Sequence, residues 1–507
     1  MKTRCFMLVL VLLVAAPMVL AQAPGAEFDE YVNKALKDWE VPGVAIAIVK
    51  NDRIVMAKGY GVRELNKPEP VDEHTLFAIG SSSKAFTATA IAILVDQGKL
   101  KWDDPATKYL PALQLFDPYS TRELTVADLL THRSGLARGD LLWYGSEYDR
   151  DEILRRVRYL KPSWSLRSRF GYQNLMFLAA GQIIPSVTGK SWDDFIRERI
   201  FTPLDMKSTN TSIKAFAGAN NVATPHSKIQ DKVRAVPWRN IDNIAPAGSI
   251  NSNVQDMAQW VRLQLGDGTY EGKRLLSSAS IKELQTPQTV IRLEGPRARL
   301  YPDAHFLTYG LGWFLSDYRG RKLVEHGGAI DGMRAEVALI PEEKVGLVIL
   351  TNLHGTNLPQ ALMFKIIDFY LNAPPRDWSS ELLKASKEFE NQAKTAEKKL
   401  ESERVKDTSP SLPLEKYVGR FQSDMYGETR VALENQKLVI RFGPNFTGDL
   451  QHWHYDTFRV TWRDPMQGKG FVNFRLNTQG KVETVNVENL SEFTRVPEPV
   501  SKVSSAP

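Results

Sequence analysis

The residue pair best suited to chemistry is Ser81 and Lys84, which stand three positions apart in the sequence. A serine hydroxyl becomes a useful nucleophile when a neighbouring base takes its proton. The apolar residues of 85–97 recur at three- and four-residue intervals, which predicts a buried helix whose first turn carries both side chains on one face. Burial and the partial positive charge at a helix start both lower the pKa of a lysine, so Lys84 can supply a neutral amine as the base.

The same spacing also has a purely structural interpretation. A Ser-x-x-Lys pattern arises by chance in a chain of 507 residues, and a serine at the start of a helix often serves only as a cap. A catalytic interpretation therefore needs further residues that can complete a site.

Tyrosine followed two positions later by asparagine occurs three times. Tyr31 and Tyr370 fall on apolar stripes of predicted helices, where packing in the core explains them. Tyr172 instead lies in a loop that leads into a predicted helix, with Asn174 beside it, so its phenol can face a cleft. The third candidate is the segment 326–328, His-Gly-Gly, between predicted strands, where glycines permit close approach of the backbone to a ligand. Its alternative is a plain loop with a surface histidine.

Other catalytic signatures are missing from the sequence. It contains no Gly-x-Ser-x-Gly elbow, no His-Glu-x-x-His motif and no glycine-rich phosphate loop. Eight scattered histidines and a single cysteine argue against a zinc site, so neither a metal nor a cofactor is expected. The net charge of +6 is a weak excess spread along the chain. It does not indicate a basic surface for binding nucleic acid.

The N-terminus has the pattern of a secretory signal in residues 1–23. Lys2 and Arg4 precede an apolar run at 6–20 and a small-residue cleavage region at 21–23. The run is shorter than the roughly 20 residues that a spanning helix needs, so a cleaved leader is favoured over a stable membrane span. We therefore expect a periplasmic or secreted protein. Cys5 would leave with the leader, and the mature chain would have no disulfide.

The elements that must position these residues alternate between strands and helices. Segments 44–49 and 54–58 predict a hairpin, and 322–325, 335–340 and 345–351 predict strands near the end of the same region. Most periodic segments between them are helical. Strands at both ends with helices between predict an α/β fold in which one sheet is assembled from distant parts of the chain.

The composition changes beyond residue 375. Residues 376–412 are rich in Lys, Glu, Ala and Ser, which predicts a charged helical linker. From 413 to 495 the apolar period becomes two, and segment 482–487 closes the series, which predicts a small antiparallel sheet or barrel. Trp453, Tyr455 and Phe458 there could line a ligand pocket or a subunit contact, with a packed core as the alternative. Residues 496–507 form a tail.

In their order and spacing, Ser81-x-x-Lys84, Tyr172-x-Asn174 and the 326–328 motif resemble the serine β-lactamase and penicillin-binding-protein superfamily. The likeness is strongest to class C β-lactamase-related serine hydrolases, which include family VIII esterases and D-amino-acid-directed peptidases. It covers about 24–375. Further stretches support it, at 98–105, 129–136, 246–250 and 309–313. The region 413–495, with the segments 417–421 and 452–456, resembles a lipocalin-like C-terminal domain.

The resemblance implies a β-lactamase-like antiparallel sheet flanked by helices, with a mostly helical insertion, and a small C-terminal barrel. It implies that Ser81 is the acylated nucleophile and that Lys84 and Tyr172 share the general base and acid work. Asn174 would bind the substrate or hold Lys84. The backbone N–H groups of Ser81 and Ala329 would form an oxyanion hole.

The main departure lies in the third motif. β-Lactamases and carboxypeptidases usually have lysine and then threonine or serine there, where this sequence has His326 and Gly327, followed by Gly328. The change removes a cation and a hydroxyl that help to bind a substrate carboxylate. An ester, amide or peptide bond in an uncharged substrate is therefore favoured over a β-lactam antibiotic.

The preferred hypothesis is a secreted or periplasmic serine hydrolase that works through an acyl-enzyme on a small-molecule or peptide substrate. Weak β-lactamase action stays open, and so does a homo-oligomer built through the C-terminal domain. The alternative from another class is a non-catalytic penicillin-recognising or scaffold protein of the same fold.

Overall fold

One antiparallel sheet brings together strands from both ends of the first 370 residues. A computed structural model describes residues 23–136 and 138–497, so most of the predicted leader lies outside the described residues. The eight strands of the sheet are β1 (Gly43–Lys50), β2 (Arg53–Gly61), β3 (Thr289–Ile291), β4 (Leu307–Tyr309), β5 (Phe314–Tyr318), β6 (Arg321–Ile330), β7 (Met333–Ile340) and β8 (Val345–Thr351). They lie in the order β2-β1-β8-β7-β6-β5-β4-β3.

The predicted α/β fold with an antiparallel sheet is confirmed. The N-terminal hairpin pairs with the last strand, because β1 runs antiparallel to β8 from Val44 opposite Thr351 onward. Strands β3, β4 and β5 were not predicted. They contain three, three and five residues, too few for an alternating pattern to stand out.

Helices cover both faces of the sheet. The longer ones are α1 (Ala26–Asp38), α2 (Ser83–Asp96), α3 (Asn174–Thr188), α4 (Val254–Leu265), α5 (Leu358–Tyr370) and α6 (Trp378–Ser402). One core contains α1, α5 and the first turn of α6, and the other contains α2, α3 and α4. Shorter helices lie at Pro118–Glu123, Val126–Leu129, Arg150–Arg156, Trp192–Ile196, Ala245–Gly248, Ser278–Leu284 and Pro296–Leu300. None of the helices in the described ranges is long and apolar enough to cross a bilayer.

Helix α2 is the centre of the second core. Its first twelve residues are all buried, including Lys84. A helix that is apolar on every side is typical of a core element enclosed by other helices. Here α3 and the short helix Ala245–Gly248 pack against it, and the ring of Phe86 stacks on Trp260 at 3.9 Å between centroids. Its N-terminus is thereby held fixed from several directions.

The C-terminal region forms a closed antiparallel barrel of eight strands. They are β9 (Gly419–Ser423), β10 (Gly427–Glu434), β11 (Lys437–Phe442), β12 (Phe446–His454), β13 (Thr457–Trp462), β14 (Lys469–Leu476), β15 (Val482–Val487) and β16 (Ser491–Val496). The expectation that 482–487 closes the series is wrong, because β16 follows and pairs back with β9. Closure leaves no strand edge exposed.

The aromatic residues of the barrel divide between its inside and its outside. Phe458 is buried in the barrel core with Tyr417 and Phe474. Trp453 instead lies beside the guanidinium of Arg404, and the ring of Tyr455 is exposed.

The barrel packs against the segment 138–149 of the sheet domain. Asn445 donates a hydrogen bond of 2.7 Å to the carbonyl of Gly145, and the hydroxyl of Tyr148 donates one of 3.0 Å to the carbonyl of Tyr426. A partly buried ion bridge adds to this contact. Arg239 pairs with Asp331, which follows β6, at 2.9 Å and with Asp464 of the barrel at 2.5 Å.

Candidate active site

Ser81 lies in a single 3₁₀ turn, Gly80–Ser82, immediately before α2. Gly80 has a φ of +51°, a conformation that glycine adopts without strain. The serine opens onto a cavity of about 350 Å³ whose lining includes Tyr172, Asn174 and His326. The predicted site residues come from three separate parts of the chain. The structure brings all of them except Lys84 into the lining of one cleft, and Lys84 lies directly behind Ser81.

The Lys84 amine lies directly beside the serine. Its Nζ is 3.0 Å from Ser81 Oγ, 2.8 Å from Asn174 Oδ1 and 2.8 Å from the carbonyl oxygen of Ala247. Burial lowers the pKa of Lys84 well below its ordinary value, and the nearby charge of Arg138 lowers it further. A neutral amine has two N–H groups, and here each donates a hydrogen bond to one of the two carbonyl-type oxygens, those of Asn174 and Ala247. Its lone pair is then left facing the serine hydroxyl.

Tyr172 completes the contact around the nucleophile. Its hydroxyl hydrogen-bonds the Ser81 hydroxyl, and its ring centroid is 4.9 Å from Lys84 Nζ. Burial raises the pKa of Tyr172 above its ordinary value, so the phenol keeps its proton at neutral pH. The electrostatics of the resting site therefore favour Lys84 over a tyrosinate as the base, with Tyr172 as a group that can pass a proton on.

Asn174 is oriented by a residue that the sequence analysis missed. Asp140 Oδ1 accepts hydrogen bonds from Asn174 Nδ2 at 2.8 Å and from Trp143 Nε1 at 2.9 Å, and its Oδ2 accepts one from Arg138 Nε at 2.5 Å. Because the carboxylate can only accept, it turns the amide so that Asn174 Oδ1 faces Lys84. Asn174 thus contacts the lysine through its amide oxygen, which is the arrangement that one of its two predicted roles requires. Asp140 follows no recognisable motif, and only the fold reveals it.

His326 is a neutral residue in the third motif position. It is buried, and burial lowers the pKa of its imidazole to about 3. Its Nδ1 is 2.7 Å from the carbonyl of Gly327, and its Nε2 is 2.9 Å from the hydroxyl of Tyr309. The Nδ1–H donates to the carbonyl and Nε2 accepts from the phenol. The imidazole therefore brings no positive charge to the cleft.

Two glycines allow the backbone around the serine to come close to β6. A Cβ on Gly80 would lie 2.5 Å from the backbone nitrogen of Ala329, and a Cβ on Gly328 would lie 1.8 Å from the carbonyl oxygen of Ile79 and 3.1 Å from the nitrogen of Ser81. Any side chain would force these segments apart. The backbones of Ser81 and Ala329 are therefore neighbours, as an oxyanion hole requires.

The described residues contain no group of three or more His, Cys, Asp or Glu side chains placed to hold a metal ion. The arrangement that is present consists of a hydroxyl, a neutral amine, a phenol and neighbouring backbone N–H groups. Such a set can deprotonate a serine, stabilise an oxyanion and return a proton to a leaving group.

Comparisons with known proteins match both parts of the chain. The sequence profile of the family described as Beta-lactamase matches residues 28–370, and that of a Domain of unknown function (DUF3471) matches residues 403–499. Unguisins hydrolase ungD' of Aspergillus campestris is 30% identical over 439 residues, which is 82% of this chain and 79% of that protein. Protein flp of Staphylococcus aureus is 25% identical over 338 residues, 66% and 64% of the two chains.

Solved structures share the fold. The octameric penicillin-binding protein homologue from Pyrococcus abyssi superposes with a TM-score of 0.63 at 22% identity, over 92% of this chain and 99% of that one. A D-stereospecific amidohydrolase from Streptomyces sp. superposes with a TM-score of 0.53 at 22% identity, over 67% of this chain and 97% of that one.

Proposed function

The chain belongs to the β-lactamase family and is a serine hydrolase, and from this premise we propose that it cleaves an ester, amide or peptide bond through an acyl-enzyme on Ser81. The observation that carries the proposal is the 3.0 Å contact between Lys84 Nζ and Ser81 Oγ, with both amine hydrogens engaged elsewhere. In that geometry the lone pair of the amine points at the proton to be removed.

The chemistry proceeds in two steps. In the first, Ser81 Oγ attacks the substrate carbonyl carbon while its proton moves to Lys84 Nζ, and the carbonyl oxygen takes up the negative charge beside the Ser81 and Ala329 backbone nitrogens. The tetrahedral intermediate then collapses. The leaving group departs with a proton delivered from Lys84 through Tyr172, and the acyl group stays on Ser81. In the second step a water molecule repeats the sequence, which releases the acid and restores the serine.

The substrate that we propose carries no obligatory carboxylate next to the scissile bond. The neutral imidazole of His326 and the bare backbone of Gly327 offer neither a cation nor a hydroxyl at the third motif. Cleavage of a β-lactam is therefore expected to be weak at most. The relative named unguisins hydrolase and the neighbour titled D-stereospecific amidohydrolase support hydrolysis of an amide or peptide bond.

We also propose that the protein acts after export, in the periplasm or outside the cell, because of the secretory pattern in residues 1–23. The fold neighbour described as octameric supports a homo-oligomer. The C-terminal barrel is the surface that we propose for it, and the native mass in solution tests the point.

A fluorophosphonate probe tests the nucleophile. The full chain should label stoichiometrically, Ser81→Ala should not label, and Ser168→Ala, which removes an exposed hydroxyl of a nearby loop, should label as wild type does. A wild-type protein that is folded but does not label would favour the non-catalytic scaffold. A panel of short p-nitrophenyl esters, D-amino-acid amides and a chromogenic cephalosporin, with Ser81→Ala as the blank, then assigns the bond that is cleaved.

A further inference from the structure

Two buried carboxyl groups line the active-site cavity, and the proposed chemistry does not use them. Glu325 on β6 and Glu336 on β7 are both more than nine-tenths buried. They line the same 350 Å³ cavity as Ser81, together with Tyr301 and Arg334. Burying two acidic groups side by side is costly unless a proton or a ligand satisfies them. Their position in the substrate cavity therefore calls for an explanation.

The hydrogen bonds around the two carboxyl groups are unequal. Glu325 accepts from the hydroxyl of Tyr301, from the backbone N–H of Gly327 and from the carboxyl of Glu336. Glu336 bonds to Glu325 through one oxygen, while its Oε1 has no hydrogen-bond partner among the described residues. Glu325 therefore carries the negative charge, and Glu336 carries the shared proton. One buried acceptor oxygen is left open next to that charge.

The backbone of the third motif leaves the acid pair accessible from the serine. A Cβ on Gly327 would lie 3.0 Å from Glu336 Oε2, so glycine at this position is what leaves room beside the carboxyl. The next residue, Gly328, is the one that lies against the backbone nitrogen of Ser81. Gly328 beside the reacting serine and Gly327 beside the acid pair are adjacent residues of β6. A substrate substituent that lies along this stretch can therefore reach from the serine to the acid pair.

The protonation of the pair depends on burial, on the effect of each carboxyl group on the other and on the neighbouring side chains Arg334 and His326. Burial raises the pKa of both carboxyl groups. The charge of Glu325 raises the pKa of Glu336 further, whereas the hydrogen bond from Glu336 lowers the pKa of Glu325, which fits a single shared proton held by Glu336. Arg334, two residues before Glu336 on β7, opposes this effect by its positive charge. Its Nε also has no partner among the described residues. His326 is neutral at the pH of interest.

We propose that this end of the cavity binds an amino group of the substrate in its ammonium form, held by the open oxygen of Glu336 and the charge on Glu325. An ammonium N–H supplies the donor that Glu336 Oε1 lacks, and its charge neutralises a buried carboxylate. The inference rests on the proposed function and narrows its substrate class to esters, amides or peptides that carry a primary amine within a few bonds of the scissile carbonyl.

Binding to the Ser81→Ala protein tests this inference without turnover. Calorimetry is run with two series of amides, one with an amino group one to five methylenes from the carbonyl and one with the amino group on the leaving side. Each compound is matched by a methyl, an acetamido and a carboxylate analogue. We expect one ammonium member to bind at least tenfold tighter than its three analogues. Equal binding of the methyl or acetamido analogue, or tighter binding of the carboxylate through Arg334, would overturn the proposal.

Variants locate the effect. Glu325→Gln keeps the shape but removes the charge, and it should abolish the tenfold preference. Glu336→Gln mimics the protonated acid and should retain the preference within about threefold. Glu342→Gln, an exposed carboxyl in the turn after β7, should leave it unchanged. If Glu325→Gln kept the preference for the ammonium compound, the inference would be wrong. The same variants are also made with Ser81 intact and treated with the fluorophosphonate probe, which tests the fold and the nucleophile independently of amine binding. A failure of the proposed function is thereby distinguished from a failure of the amine site.

Discussion

At the scale of single residues, the site depends on a lysine that is buried without a counter-ion in contact among the residues that the structure describes. Lys84 is fully buried, and its amine is held by two neutral oxygens rather than by a carboxylate. Such an environment destabilises an ammonium more than a neutral amine. The same burial that suits the lysine to its proposed role as the base therefore costs the folded state free energy, as is common for functional groups.

This cost should appear in the pH dependence of stability. Between the lowered pKa of folded Lys84 and the ordinary value near 10.4 in the unfolded chain, the unfolded state binds more protons. Stability should therefore rise with pH in this window. Lys84→Met removes that contribution, so urea unfolding midpoints from pH 6 to 9.5 should rise less steeply than in wild type. Activity toward a neutral ester should fall by about 10²–10⁴-fold.

Lys99→Met, which replaces an exposed lysine just after α2, is the matched control and should follow the wild-type slope. Parallel pH profiles of Lys84→Met and wild type would show that Lys84 titrates normally in the folded protein, and the assignment of the base would then fail.

At the scale of elements, the segment 138–149 acts on the lysine through charge and orientation. The carboxylate of Asp140 raises the pKa of Lys84, and the guanidinium of Arg138 lowers it. The two side chains are hydrogen-bonded to each other, so one loop carries opposing influences on the same amine.

Opposite shifts in the pH profile should follow from the two charges. The acid limb of kcat/KM reports protonation of the base in the free enzyme. Asp140→Asn should move this limb to lower pH, and Arg138→Gln should move it to higher pH. Both shifts should shrink in 1 M salt, because Arg138 is exposed and its charge is screened. Asp140→Asn should also lower kcat about tenfold, since the Asn174 amide is no longer held in one orientation. Shifts in the same direction would contradict this account.

The elements also show how far a sequence can be interpreted. The periodic segments, the hairpin at β1 and β2 and the residue types of Ser81, Lys84 and Tyr172 were predictable, because each leaves a local pattern. Asp140 was not, since a single carboxylate in a loop has no pattern, and its role depends on a contact with Asn174 across the fold. The acid pair of Glu325 and Glu336 was hidden for a related reason. The carboxyls meet only because β6 and β7 pair in the observed register.

At the scale of the whole molecule, the barrel supports the segment that orients the site. A Cβ on Gly139, next to Asp140, would lie 3.3 Å from the side chain of Met425, and a Cβ on Gly145 would lie 2.8 Å from the ring of Phe446. The segment is thus enclosed between the cleft on one side and the barrel on the other. Loss of barrel contacts should therefore loosen the active site rather than only lower stability.

A double variant at this contact tests the coupling. Asn445→Ala with Asp464→Ala removes the bond to Gly145 and the barrel half of the Arg239 bridge. We expect kcat/KM and the rate of fluorophosphonate labelling to fall about three- to tenfold. Asp449→Ala, which removes a barrel carboxylate that pairs with Arg463 on the barrel surface, should change neither. If the double variant kept wild-type kcat/KM while it remained folded, the barrel would be independent of catalysis.

The position of the serine early in the chain has a consequence for biosynthesis. Ser81 leaves the ribosome well before β6 and β7 are made, and the backbone of β6 supplies one wall of its cleft. Contacts so distant in sequence form late and slowly. A nascent polypeptide shorter than 340 residues therefore lacks one wall of the cleft, and the proposed hydrolytic activity should arise only after the strands of this wall have been translated.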